Sequence, residues 1–304
     1  MIRWVIPLGA ALALITAPAL ARDGAVLVSG TDAAPVASAA PLPSGAQTAA
    51  GLPAQVLAAM RAADVVILGE VHDNPFHHSA QAELIDALDP AAVVWEMLTP
   101  DTAARFNNGW LDQPGHLEQA IAMAEANWPD FDLYLPVLVA AQGRAIYGGL
   151  VPREAARRAA DLGIGAIFGV GAAEYGLMVP LPADERARRL DEQRAAHCYA
   201  LPEEMLPLMV DIQRLRDATL ARAAITAMEE TGGPVVVITG NGHARRDGGV
   251  PDYLARVRPG LTVFALGQSE SGAIAGRFDA LRDAPAVDRP DPCLAFGAGA
   301  AGGD

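Results

Sequence analysis

Two rhythms of apolar and polar positions alternate along this chain. Short apolar runs at 65–69, 92–96, 145–148, 235–239 and 262–266 predict buried strands, with a weaker sixth run at 164–170. Between them, apolar residues recur at helical spacing over 52–63, 77–88, 131–142, 153–162, 183–197, 203–230 and 251–257. Strand–helix alternation predicts an α/β fold: a mainly parallel sheet flanked by helices. The stretch from about 153 to 230 is almost wholly helical. It reads as a helical subdomain inserted in the middle of the chain.

The ends of the chain follow neither rhythm. Arg3 precedes an apolar segment over 4–20, and Ala19-Leu20-Ala21 offers a small-residue cleavage site. Residues 1–21 therefore read as a signal peptide, with export to the periplasm and a mature start at Arg22. Cleavage is preferred over an uncleaved anchor, because Pro7 and Pro18 interrupt the apolar run. Residues 22–50, rich in Ala, Pro, Ser, Gly and Thr, read as a flexible leader, and 297–304 as a disordered tail. The folded domain is expected over 51–296.

Composition narrows the partners. A formal charge of −14 disfavours nucleic acid and anionic membrane surfaces. The two cysteines, Cys198 and Cys293, can close one long loop in an oxidising compartment, or stand as two separate buried thiols.

The chemistry concentrates at strand ends. The first run stops at Gly69, and Glu70, His72, His77 and His78 follow; three of the six histidines lie here. On extended backbone, Glu70 and His72 project to the same side. His77 and His78 open the next helix, where free N–H groups and the helix dipole favour neutral imidazole. A second strand ends in Gly240-Asn241-Gly242-His243, and Glu96 closes a third. If these strands are neighbours, the groups meet at the carboxyl edge of the sheet, where open α/β sheets place their ligands. Each element also has a plain reading: a capped turn, a glycine turn, a Glu paired with Arg. In the long helix, Asp211, Arg214, Arg216 and Asp217 read either as a solvated, internally paired face or, for Asp217, as an inward carboxylate near the site.

Together these residues resemble a known family. The stretch from Gly69 to His78, the Glu96 strand, Gln213-Arg214-Leu215-Arg216-Asp217-Ala218 and Gly240-Asn241-Gly242-His243 are similar, in order, to the ChaN-like haem-binding uptake family. That family belongs to the TIKI/erythromycin-esterase-like superfamily. His197-Cys198 and Leu201-Pro202 also look like its helical middle, whereas Leu150 stands where an Asn is expected. The resemblance implies haem as cofactor, a role in iron or haem uptake, a homodimer with haem between subunits, and outer-membrane uptake components as partners. It implies a cofactor site drawn from His72, His77, His78, Asp217, Asn241 and His243. Haem iron takes Tyr or His, and the tyrosines are Tyr134, Tyr147, Tyr175, Tyr199 and Tyr253. Met205, Leu206, Leu208 and Met209 can line an apolar slot, and Arg214, Arg216, Arg245 and Arg246 can meet propionates.

Superfamily relatives imply an alternative, a metal-dependent hydrolase or protease-like enzyme. Glu70 or Glu96 would be the general base, and Glu70, His72 and His243 would bind a divalent metal such as zinc.

Overall fold

The computed structural model describes residues 49–107, 115–125, 128, 130–291 and 293–294. The expected signal peptide, nearly all of the leader, and the tail lie outside the described residues.

Six strands form one sheet: β1 (Val65–Glu70), β2 (Ala92–Trp95), β3 (Ala145–Gly148), β4 (Val235–Gly240), β5 (Val263–Glu270) and β6 (Ala280–Ala284). Their order is β3-β2-β4-β1-β5-β6, and every neighbouring pair is parallel. All carboxyl ends therefore share one edge. Val65 aligns with both Val235 and Val263, which makes β1 central.

Side-chain alternation assigns the two faces. Val66, Leu68, Val93, Trp95, Val236 and Ile238 enter one core. It is covered by α1 (Ala54–Arg61), α2 (Pro75–Leu88), α4 (His116–Glu125) and α5 (Leu135–Ala140). Val65, Ile67, Val94, Val235 and Val237 enter the other. That face is covered by α6 (Arg153–Leu162), α7 (Ile164–Phe168), α9 (Leu206–Thr231) and α11 (Val250–Val257). The remaining helices are α3 (Pro100–Arg105), α8 (Ala183–Ala196) and α10 (Asn241–Ala244). The helical middle is thus α6 to α9, and Leu215, Ala218 and Ala221 of α9 share their core with the sheet.

Local chemistry explains the boundaries. Asn74 caps α2, its side chain accepting from Phe76 N at 2.9 Å, and Pro75 follows at the first helical position. Gly232, in the left-handed region at φ 81°, ends α9. The expected strand at 164–170 is instead the short α7. Gly163 and Gly169, at φ 76° and 78°, bracket it, and Ile164 and Phe168 bury one helical face. The helix expected from 203 begins as a 3-10 turn, Glu203–Met205, before α9.

Cys198 and Cys293 are joined in a disulfide, with Cα atoms 5.5 Å apart. Among the described residues no helix is long and apolar enough to cross a membrane.

Candidate functional site

The loops after β1 and β4 diverge to opposite faces: β1 leads into α2, and β4 leads into α10 and α11. This is a topological switch point, where a crevice opens beyond the strand ends. Glu70, His72, Glu96 and His243 all lie there, each no more than 8% exposed.

On the α2 side, Glu70 continues the Val66–Leu68 face. Its Oε1 accepts from Tyr134 Oη in a short hydrogen bond and lies 2.7 Å from His72 Nδ1. Gln81 Nε2 donates to Oε2 at 2.7 Å. Burial acts to raise the Glu70 pKa, but the hydrogen bond from His72 and the neighbouring imidazoles outweigh it and hold the carboxyl below its usual range. Burial pushes the Tyr134 phenol well above its own, and Glu70 adds to that. His78 donates through Nδ1 to Leu133 O at 3.0 Å and stacks on Tyr134 at 4.2 Å between centroids. Burial lowers the pKa of His78.

On the α9 side, Asp217 is fully buried, with Oδ1 2.6 Å from His243 Nδ1. Gln213 Nε2 lies 3.0 Å from the same nitrogen. Glu96 Oε2 accepts from Thr239 Oγ1 at 2.6 Å and Gly240 N at 2.8 Å. Its other oxygen, Oε1, lies 3.4 Å from His243 Nε2 and 4.0 Å from His72 Nε2. Burial acts to raise the Glu96 pKa, but the charges of His243 and His72 and the two hydrogen bonds bring it down to about 2. For His72 and His243 burial acts downward, and the carboxylates around them outweigh it and raise the pKa of each. Two carboxylate–imidazole pairs, Glu70–His72 and Asp217–His243, thus face each other across Glu96. Such an arrangement can hold and relay protons.

Not every expected residue faces this centre. His77 accepts from Val71 N at 2.9 Å through Nδ1 and places Nε2 3.2 Å from Ser269 O, so backbone takes both nitrogens and the ring fixes the turn. Asn241 reaches sideways to β5: it donates to Gln268 O at 2.7 Å and accepts from Gln268 N at 3.0 Å. Arg245 pairs with Asp247 and Glu192, Arg246 with Asp279, and Arg214 with Asp211.

The metal alternative finds no support in this arrangement. Among the described residues no group of three or more His, Cys, Asp and Glu side chains is disposed to hold a metal ion. Glu70 and His72 spend their facing atoms on each other, and His243 turns Nδ1 to Asp217 and Nε2 toward Glu96 rather than toward Glu70. Haem would need an approachable donor. His72 Nε2 lacks a hydrogen-bond partner, but it abuts Gly240, where an added Cβ would lie 2.7 Å away. His78 Nε2 also lacks one, and lies 3.6 Å from Glu70 Oε2 in a fully buried side chain. Neither nitrogen presents a free approach to a porphyrin plane in this arrangement.

Sequence reasoning missed Tyr134 and Gln81 as partners of Glu70, and Gln268, which donates to Gly69 O at 2.8 Å. The signal for Gln268 was legible: Gly267-Gln268 repeats the apolar-run, Gly, polar pattern of Gly69-Glu70 and Gly240-Asn241.

An all-parallel sheet carrying buried carboxylate–imidazole pairs at its switch point defines the class: an α/β protein with an ionisable centre at the strand carboxyl ends. Within that class, the chain belongs to the haem-binding uptake family ChaN of the Tiki superfamily, which matches residues 56–254. Among solved structures, it is similar to one described as cofacial haem binding to ChaN of Campylobacter jejuni. The identity is 20%, the match covers 74% of this chain and 88% of that one, and the TM-score is 0.55. It is also similar to the type III effector HopBA1 (13% identity, 76% and 91% covered, TM-score 0.42) and to a succinoglycan biosynthesis protein (12%, 71% and 67%, 0.39). No curated protein matches.

Proposed function

We propose that this chain is a periplasmic haem-binding protein of iron or haem uptake, working as a homodimer alongside outer-membrane uptake components. The observation that carries the reading is the family match over 56–254, which runs from α1 through β1 and β4 into α11. The leader-like N-terminus supports the compartment. So does the Cys198–Cys293 disulfide, since such bonds persist in oxidising compartments. The test is a spectroscopic titration of the chain from Arg22 with haemin. Saturation at a fixed haem-to-subunit ratio is the expected result, and an unsaturable, non-specific rise in absorbance would refute haem binding. Sedimentation of the same samples tests the dimer.

A second reading, acid–base chemistry at the sheet edge, is favoured by one specific observation: His72 and His243 turn their Nε2 atoms toward the same oxygen of Glu96. A haem carrier has no need of that arrangement. Glu96→Gln should then abolish any hydrolytic turnover found in a substrate screen while leaving haemin binding intact. Turnover that survives the substitution would remove Glu96 from the chemistry.

A further inference from the structure

Away from the sheet edge, the helical layer leaves a groove among α6, α7, α8 and α9. Its volume is about 890 Å³, inside the range of roughly 300–1,000 Å³ typical of ligand pockets. Leu162, Ile164, Leu177, Met178 and Val179 give it apolar walls. From α9 it is Pro207 and Val210, rather than the Met205, Leu206, Leu208 and Met209 suggested by the sequence, that line it. Leu162 is 51% exposed, Met178 64% and Val179 58%. Large apolar side chains left open along one trough, rather than scattered singly, mark a binding surface.

The chemistry of the lining selects the ligand. Among the described residues that line the groove, none carries an imidazole, phenol, thiol, hydroxyl or amide side chain, and none is aromatic. Haem iron would find no donor there. A sugar or nucleotide would find no ring to stack on and few partners for its polar groups. The polar side chains of the lining are Arg186, Asp211 and Arg214. Asp211 is paired with Arg214 at 3.0 Å, so the carboxylate is spent within the protein. Arg214 also donates to Gly176 O and Val179 O at 2.9 Å each, which fixes one wall. Arg186, exposed on α8, has no ion pair among the described residues. The groove is thus an aliphatic trough with one spare cation. Its complement is an aliphatic body that carries a single anionic head.

We propose that this groove binds a straight-chain fatty acid, with the alkyl chain along the Leu162–Val179 wall and the carboxylate on Arg186. One spare cation matches a monoanionic head, and one trough matches one chain. A formal charge of −14 sets the protein against an anionic bilayer as the occupant. The site is separate from the buried Glu/His centre and does not depend on the haem-binding reading.

The experiment is a calorimetric titration of the protein with octanoate, decanoate and laurate, each kept below its micellar concentration. Laurate should saturate at one per subunit. Affinity should rise by about two- to fourfold for each added methylene, fourfold being the value for full burial. Variants at exposed positions locate the site. Arg186→Glu reverses the free charge and Val179→Glu places a charge on the wall. Each should weaken laurate binding by about tenfold or more. Arg186→Lys should keep most of the affinity, and Leu281→Glu, on β6, should bind as the wild type does. No saturable laurate binding by the wild type would overturn the proposal and leave haem binding untouched. Laurate bound equally well by both groove variants would overturn the location. Dodecyltrimethylammonium bound as tightly as laurate would overturn Arg186 as the anchor of the head. A wild type that ignores laurate but floats with phosphatidylglycerol vesicles would assign the strip to a membrane surface. A wild-type dimer that Val179→Glu splits, with laurate affinity unchanged, would make it an interface between copies instead.

Discussion

At the residue scale the centre is a balance between burial and pairing. Glu96 is the clearest case. Its pKa falls from 4.5 to about 2, so the folded state holds the proton less tightly than the unfolded chain does. A depressed carboxylate contributes stability that is complete above its unfolded value and is lost as pH falls through the folded one. The relevant window therefore runs from about 4.5 down to about 2. His72 and His243 have the opposite sign: their raised pKa values contribute stability below about 6.5, lost as pH rises through the folded values. Glu96→Gln should flatten the acid limb of stability and, near neutral pH, cost about 1–3 kcal/mol by weakening the charge-assisted hydrogen bonds from Thr239 Oγ1 and Gly240 N. Urea melts from pH 2 to 8 would check both, and an unchanged acid slope would remove Glu96 from the account. A second residue is fixed by space alone. A Cβ on Gly69 would collide with Asn241 Oδ1 and sit 3.0 Å from Leu266 O. Gly69→Ala should cost roughly 1–3 kcal/mol, measured as a fall in denaturation midpoint.

At the scale of elements, the chain beyond β6 acts as a strap. Arg289 bonds Asp73 through Nε and Nη2 at 2.8 Å each, and Glu270 through Nη1 and Nη2 at 2.7 Å each. Asn74 donates to Glu270 Oε1 at 2.6 Å and to Pro285 O at 3.0 Å. A few residues on, Cys293 is tied to Cys198, 95 positions away in sequence. The loop after β1 is thus held from above by the end of the domain. Arg289→Ala leaves Glu270, 3% exposed, without its cation, at a cost of about 1–3 kcal/mol. Cys293→Ser opens a long cross-link, at a cost of about 2–4 kcal/mol. Both should lower Tm and open 285–291 to limited proteolysis. A strap still protected in both variants would mean that other contacts hold it.

The strap was not legible in the sequence, for physical reasons. β6 reads Ala280-Leu281-Arg282-Asp283-Ala284, and as an edge strand with exposed positions it carries charges that hide its strand character. The central strands were legible because sheets covered on both faces need continuous apolar runs. The centre was half legible. Glu70, His72, Glu96 and His243 were marked by their place just after those runs, and Asp217 by a charge in a helix that otherwise packs on the sheet. Tyr134 was hidden inside the apolar Phe131-Asp132-Leu133-Tyr134-Leu135 stretch, where a buried phenol looks like any other core ring. The segment at 164–170 misled because seven residues with five apolar side chains do not distinguish a short buried helix from a strand.

For the whole molecule the deciding quantity is charge. The chain carries a formal −14, and haemin with both propionates ionised is itself anionic around its edge. At long range protein and ligand repel, and that repulsion acts on the encounter rate. At short range the pairing of a propionate with a cationic side chain attracts. Salt separates the two: the Debye length falls from about 30 Å at 0.01 M to about 10 Å at 0.1 M. The long-range field is removed over that interval, while a contact of a few ångströms largely survives it. Haemin association should therefore speed up as salt is added, the reverse of a cationic haem trap. Stopped-flow Soret measurements at fixed pH, with haemin kept monomeric, would read the slope. A wild-type rate that falls with salt would mean that a local cationic surface, rather than the net charge, governs capture.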